Sequence, residues 1–197
     1  MIRESDNSHS EAITFETSSV DRLIASDRAG RSGVSGIRPA LEEIWQLLED
    51  VADPEVPVVS VVDLGIVRDL AWADEQLVVK VTPTYSGCPA TEFIEQAIEE
   101  ALHAAGIADV RLEQQLSPAW TTDWITDAGR EKLRAFGIAP PVGSASKRTL
   151  LGEEPEVACP QCGSHDTSRV SEFGSTACKA LYRCNSCLEP FDYFKCI

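Results

Sequence analysis

Basic residues are in short supply. The 197-residue chain carries 17 Lys plus Arg against 32 Asp plus Glu, a formal net charge of −15 at pH 7. Nonspecific nucleic-acid binding needs clustered cations to neutralise phosphates, so this balance argues against that class. It fits a cytoplasmic protein, or one that docks on basic protein partners. Histidine is rarer still, at three residues, which leaves little for general acid–base chemistry. The pair of Glu-x-x-His motifs used by di-iron carboxylate bundles is missing, as is a glycine-rich dinucleotide loop. No Ser/His/Asp order makes a hydrolase persuasive. No apolar run approaches the roughly 18 residues of a membrane span, and the opening residues 1–19 lack the apolar centre of a signal peptide. These absences lead away from a catalyst and toward a cytoplasmic protein.

Cysteine is what the chain has. Six of its seven cysteines fall in the last forty residues. Cys159-Pro160-Gln161-Cys162 is followed, after twenty-one residues, by Cys184-Asn185-Ser186-Cys187. Two residues between paired cysteines let both thiolates of a turn face one ion, and two such knuckles supply the four sulfurs of tetrahedral Zn²⁺. Gly163 suits a knuckle that needs positive φ. The alternatives are a stable iron–sulfur cluster on the same four thiolates, two disulfides, or a redox-active pair. Structural zinc fits best, because a small ribbon needs a metal to fold and an odd cysteine count suits a reducing compartment. Cys178 and Cys196 fall outside both knuckles and are free for a second task.

Upstream, residues 1–37 show no sustained apolar period and read as a disordered tail holding His9, with at most a short helix around Val20–Ala25. Pro39 to Val51 reads as an amphipathic helix, and Asp53-Pro54-Glu55-Val56-Pro57 as the turn that ends it. Ile66–Ala73 and Gln76–Thr82 read as a hairpin about Asp74-Glu75. A helix after Pro89 presents Phe93, Ile94, Ala97, Ile98, Ala101, Leu102 and Ala105 on one apolar face, with His103 on its flank. Asp109–Leu116 reads as a third strand. A last helix is expected with Thr122 or Asp123 as its cap and Ile125, Leu133 and Phe136 facing inward. Trp120 and Trp124 read as core anchors or as part of a partner surface. Residues 139–156 read as a linker between a domain at 38–138 and a ribbon at 157–197. Lys179, Arg183 and Lys195 read as a solvated basic face.

The loop Thr82-Pro83-Thr84-Tyr85-Ser86-Gly87-Cys88-Pro89 places Cys88 beside a helix N-terminus, where a thiolate is favoured. Such a thiolate binds metal, attacks an electrophile or exchanges with a disulfide; the alternative is a buried, inert cysteine. Thr82, Thr84, Tyr85 and Ser86 could donate hydrogen bonds to thiolate or bound sulfide.

The Asp53–Pro57 turn, the run Val61-Val62-Asp63-Leu64-Gly65-Ile66-Val67 and the Cys88 loop together resemble the SufT-like domain family over residues 39–118. That resemblance implies a compact α+β fold, helices packed on a three- to four-stranded sheet, followed here by a zinc-ribbon β module. It links the chain to iron–sulfur protein maturation and implies a homodimer across the SufT-like domain. Cys88 matches that family's reactive loop cysteine. Asp63 matches its acidic residue, either polarising the loop or closing an ordinary Asx turn. Phe173–Cys184 and Glu189–Cys196 are similar to the C-terminus of the PaaD (PaaJ) family, accessory proteins of the multicomponent phenylacetyl-CoA epoxidase. The resemblance implies partners in that oxygenase, a di-iron subunit or a flavin and [2Fe–2S] reductase, whose metal centre the chain helps assemble. Cys88, Cys178 and Cys196 would then hold iron or a cluster transiently. A subunit taking part in turnover and a purely structural zinc adaptor are the competing readings.

Overall fold

Two small sheets and three α-helices make up the framework of the described residues. The computed structural model describes residues 38–85, 87–142 and 155–195. The expected tail with His9 and the Val20–Ala25 helix, Ser86, Cys196 and most of the expected linker lie outside the described residues. No helix among the described residues is long and apolar enough to cross a membrane. Residues from Pro39 onward cluster as one compact unit.

The first helix, α1 (Leu41–Leu48), starts two residues later and ends three earlier than the expected Pro39–Val51; the Glu43 carboxylate accepts the Ala40 N–H at 3.0 Å. It buries Ile44 and Leu48, one helical turn apart. Strands β1 (Val67–Ala73) and β2 (Gln76–Val81) form the hairpin, and β3 (Val110–Gln114) joins β2 in parallel after the crossover helix α2 (Thr91–Ala104). Leu77, Val79 and Val81 alternate inward from β2, and Ile94, Ile98 and Leu102 line the buried stripe of α2. Each such side chain contributes about 1.5–3 kcal/mol by leaving water. Phe93, expected on that stripe, is instead exposed because it precedes the stripe by about 100° of helical turn.

The loop before β1 is clasped by the segment after β3. Gly65 has φ +65°, and a Cβ there would meet the Trp124 carbonyl oxygen at 2.7 Å, so only glycine fits. The Trp120 indole N–H donates to the Leu64 carbonyl at 2.9 Å, while the Arg68 guanidinium lies 3.7 Å over the Trp124 ring. Trp120 is thus a core anchor, and Trp124 is half-buried under a cation. The last helix, α3 (Asp127–Phe136), is capped by Thr126 rather than by Thr122 or Asp123, which form a short 3₁₀ turn. Ile125 and Leu133 are buried, but Phe136 is exposed. Thr126 accepts the Gly129 N–H at 2.9 Å and donates to Asp63 at 3.2 Å. Thr126→Ala is therefore expected to cost about 1–2 kcal/mol in urea denaturation, and Thr126→Ser much less.

The second sheet runs β4 (Ile138–Ala139), β7 (Pro190–Phe194), β6 (Lys179–Cys184), β5 (Thr167–Ser171). Ala139, read from the sequence as the start of a linker, sits in β4 and pairs in parallel with β7, so the chain enters the ribbon sheet before the expected boundary. The ribbon has its own small core of Val157, Ala180, Tyr182, Phe191 and Tyr193. Phe194 and Cys178 leave that core and pack in the core of the first sheet, where Phe194 meets Trp120 with ring centroids 6.3 Å apart.

Candidate functional site

The two cysteine knuckles converge. The sulfurs of Cys159, Cys162, Cys184 and Cys187 all lie within 4.8 Å of one another, with Cys159 and Cys184 buried and Cys162 and Cys187 exposed. Cys159 and Cys187 sulfurs are 3.7 Å apart, and those of Cys162 and Cys184 are 3.6 Å apart. A disulfide would bring sulfurs to about 2.05 Å. Four bonds of about 2.3 Å in a tetrahedron separate sulfurs by about 3.8 Å, so the donor set fits one thiophilic ion. The turns are built for this. Gly163 follows the first knuckle at φ +74°, and Leu188 takes φ +68° at the matching place in the second. The Cys187 N–H points at the Cys184 sulfur at 3.4 Å. Backbone N–H groups, that of Cys187 first, hold the Cys184 thiol down to about 6. The Glu189 N–H pulls Cys187 the same way, but burial and the neighbouring thiols push it up to about 12.

A second set of groups gathers where the ribbon meets the first sheet. Asp53 accepts the N–H groups of Glu55 and Val56, both at 2.8 Å, and this turn orients Glu55. Burial raises the Asp53 pKa, opposed by those N–H groups and by Lys179. Cys178, immediately before β6, is 4% exposed, with its sulfur 3.0 Å from the Thr176 hydroxyl and 3.7 Å from the Glu55 carboxylate. Burial pushes the Cys178 thiol up; Thr176 and Lys179 pull it down, and Glu55 and Asp53 add to the rise. Lys179 does not sit on a solvated face: it is 5% exposed and pairs with Asp192 at 3.5 Å. Lys195 does reach the surface, over the Phe173 ring at 4.4 Å.

Cys88 precedes α2 by three residues, its carbonyl accepting the Thr91 N–H at 3.2 Å. It is half-buried and packs on the same core as Cys178. Tyr85 packs against the same core, and its phenol lies within electrostatic reach of Cys88, Glu55 and Cys178. Burial, then the Cys88 charge, pushes the phenol up to about 12, so Tyr85 stays a neutral donor. The other loop residues face differently. Thr82 is buried with an unpartnered hydroxyl and lines, with Thr84, Tyr85, Leu116, Ala119 and Trp120, a cavity of ≈ 160 Å³. Cys88 opens instead into a narrow crevice with Pro83, Thr84 and Thr91.

Asp63 has partners of its own. Its carboxylate accepts from the Ser60 N–H at 3.0 Å, Lys132 at 2.6 Å and Thr126 at 3.2 Å, and the Ser60 hydroxyl accepts its N–H in return. That arrangement closes a turn and holds α3, and it includes no group of the Cys88 loop. The single Glu100-Ala101-Leu102-His103 spacing on α2 carries no metal cluster: Glu100 accepts from Gln96 at 2.7 Å, and His103 is exposed. Sequence reasoning missed Glu55, because Asp53–Pro57 reads only as a turn. The available signal was a carboxylate in one of the three motifs that carried the resemblance.

Comparison with known proteins matches both halves. Residues 143–195 match the PaaD zinc beta ribbon domain family, and residues 41–111 match the iron–sulfur cluster assembly protein family. A protein of Escherichia coli (strain K12) is 55% identical over 159 residues, covering 81% of this chain and 94% of its own length. Its provisional name is that of a 1,2-phenylacetyl-CoA epoxidase subunit. A Porphyromonas gingivalis (strain ATCC BAA-308 / W83) protein named Fe-S protein maturation auxiliary factor is 32% identical over 88 residues, 44% of this chain and 83% of its own. A Bacillus subtilis (strain 168) auxiliary factor of the same description is 33% identical over 84 residues, 42% of this chain and 81% of its own.

Proposed function

This chain belongs to the PaaD family of phenylacetyl-CoA epoxidase proteins, and from that premise we propose that it is a non-catalytic maturation factor of the epoxidase. It works in the cytoplasm, handing iron or an iron–sulfur cluster to a partner component, either the di-iron subunit or the [2Fe–2S] reductase. The observation that carries the reading is the half-buried Cys88 thiol just before α2, beside a crevice, in a chain whose first half resembles iron–sulfur maturation factors. Cys88 receives the cargo.

The ribbon has a different task. Cys159, Cys162, Cys184 and Cys187 hold one Zn²⁺, which supplies the folding energy of a module with a small core. No step of cargo handling passes through it. The half-buried thiol of Cys88 keeps a cargo exchangeable, whereas four converging thiolates hold an ion permanently.

The test is epoxidase maturation in cells supplied with wild-type chain or Cys88→Ser. We expect the variant to lower epoxidase activity at least about tenfold and to leave a partner component short of iron, since removing a metal contact costs about 10–100-fold or more. Epoxidase that has already matured should need no further chain. Full activity with Cys88→Ser would reduce the protein to a zinc adaptor. The name of the Escherichia coli relative favours one second reading, a stoichiometric subunit used in turnover. Constant-ratio co-purification with the mature oxygenase, and loss of activity on removing the chain, would establish that reading instead.

A further inference from the structure

We infer that an open cleft between α3 and the first knuckle of the ribbon binds a small apolar monocarboxylate, with the Arg130 guanidinium as its anchor. The inference does not rest on the maturation reading, since Cys88 does not line this cleft. Arg130 is half-buried, and its fork is held by main-chain acceptors: Nη1 donates to the Pro141 carbonyl at 2.8 Å and Nη2 to the Thr122 carbonyl at 2.6 Å. Neither acceptor carries a charge. Among the described residues no carboxylate pairs with Arg130, whereas Arg134, one helical turn on, pairs with Glu131. Withdrawing a cation from water without a counter-ion costs free energy. A guanidinium has five N–H donors, so three of those on Arg130 remain for a ligand.

The cleft has the size and the walls of a small-molecule site. Its volume is ≈ 410 Å³, within the roughly 300–1,000 Å³ of ligand pockets and above the roughly 150 Å³ that takes a benzene ring. Pro140, Pro141 and Val142, which follow β4, and Pro160 in the knuckle give it apolar walls. Arg134 and His165 add further donors, and Arg134 shares one face of α3 with Arg130. Charge decides the ligand. Glu131 answers Arg134, and Glu156 also lines the cleft, which leaves the positive charge of Arg130 to be met. A carboxylate supplies one negative charge and two oxygens that match the parallel N–H groups of a guanidinium edge. A doubly charged phosphate would bring a second charge for Glu156 to repel. The apolar walls then favour a ring or a short alkyl chain behind the carboxylate. The chain's net charge of −15 draws no anion from a distance, so binding rests on these contacts.

The experiment is calorimetric titration of the full, zinc-loaded chain at neutral pH with phenylacetate, an aromatic ring joined to one carboxylate. Phenylacetamide, acetate and inorganic phosphate are titrated beside it. One phenylacetate should bind per chain, with phenylacetamide and acetate each weaker by at least about tenfold, the amide for want of the charge and acetate for want of the ring. Arg130→Gln should weaken phenylacetate by at least about tenfold. Because Arg130 also ties Thr122 to Pro141, two exposed positions supply a check that leaves the fold alone. Arg134→Gln should weaken binding about two- to fivefold, and Glu156→Gln should tighten it by a similar factor. No saturable binding of phenylacetate, equal binding of phenylacetamide, or unchanged affinity in all three variants overturns the site. Tighter binding of inorganic phosphate than of phenylacetate overturns the monocarboxylate assignment. Cys88→Ser should bind phenylacetate like wild type, so failure of this site and failure of the maturation reading can be told apart.

Discussion

Removing the ribbon's metal, by chelation or by Cys184→Ser, is expected to unfold residues 155–195 while β1 to β3 and α2 stay folded. The ribbon's own core holds eight buried residues, and two of them, Cys159 and Cys184, are metal-binding positions. So small a core does not offset the conformational entropy of ordering the strands. In modules of this kind, metal binding worth about 10–16 kcal/mol at neutral pH is the folding free energy itself. Hydrogen exchange followed by peptide should show β5, β6 and β7 losing protection without the ion. Retained protection of β6 in the stripped protein would sink the structural role. The loss should spread, because Cys184 ends β6 and Cys178 stands just before its start. A stripped ribbon should therefore also lose the contact between Cys178 and Glu55, although neither residue belongs to the four-sulfur cluster. A structural metal then governs a buried contact at the far end of one strand.

That coupling was not legible in the sequence, and the reason is physical. The knuckles were readable because two residues between cysteines dictate a local turn, and local geometry survives in the sequence pattern. Cys178 carries no such spacing. Its place beside Glu55, 123 positions away along the chain, comes from packing of the ribbon onto the first core. Lys179 was misread for the same cause: a lone lysine on a strand looks solvated until a second sheet edge and Asp192 close over it. The helices and the hairpin were legible through their periods, as Ile94, Ile98 and Leu102 illustrate. The cap of α3 was not, since Thr121, Thr122, Asp123 and Thr126 are all suitable oxygens. What selects Thr126 is a tertiary partner, the carboxylate of Asp63. β4 escaped because two residues before a Pro-Pro pair carry no strand period of their own.

Asp63→Ala is expected to destabilise the chain by about 2–3 kcal/mol at neutral pH, because it strands the buried Ser60 N–H and removes a shared acceptor from Thr126 and Lys132. The Ser60 N–H and the Thr126 hydroxyl both lose their acceptor, and Lys132 loses its 2.6 Å partner. The damage should extend to α3, whose Gly129 fits against Asp63 so closely that a Cβ there would meet the Asp63 carbonyl at 3.0 Å. The pH dependence separates charge from shape. Burial alone would raise the Asp63 pKa, but the Lys132 ammonium and the Ser60 N–H outweigh it and hold the carboxyl below its ordinary 3.8. A carboxyl depressed in the folded state stabilises fully above its unfolded pKa and loses that contribution as pH falls through the folded value. Wild type should therefore lose stability from about pH 4 downward, and Asp63→Asn should show a shallower acid slope in that window. Lys132 is half-exposed, so water screens its share, and Lys132→Met should cost less than Asp63→Ala. Urea midpoints for the three variants at about pH 7 and about pH 3 check this. Equal acid slopes for wild type and Asp63→Asn would mean that the carboxylate contributes shape alone. Zinc uptake by Asp63→Asn should match wild type, because Asp63 clasps the helix that carries Lys132 and is not among the four converging thiols.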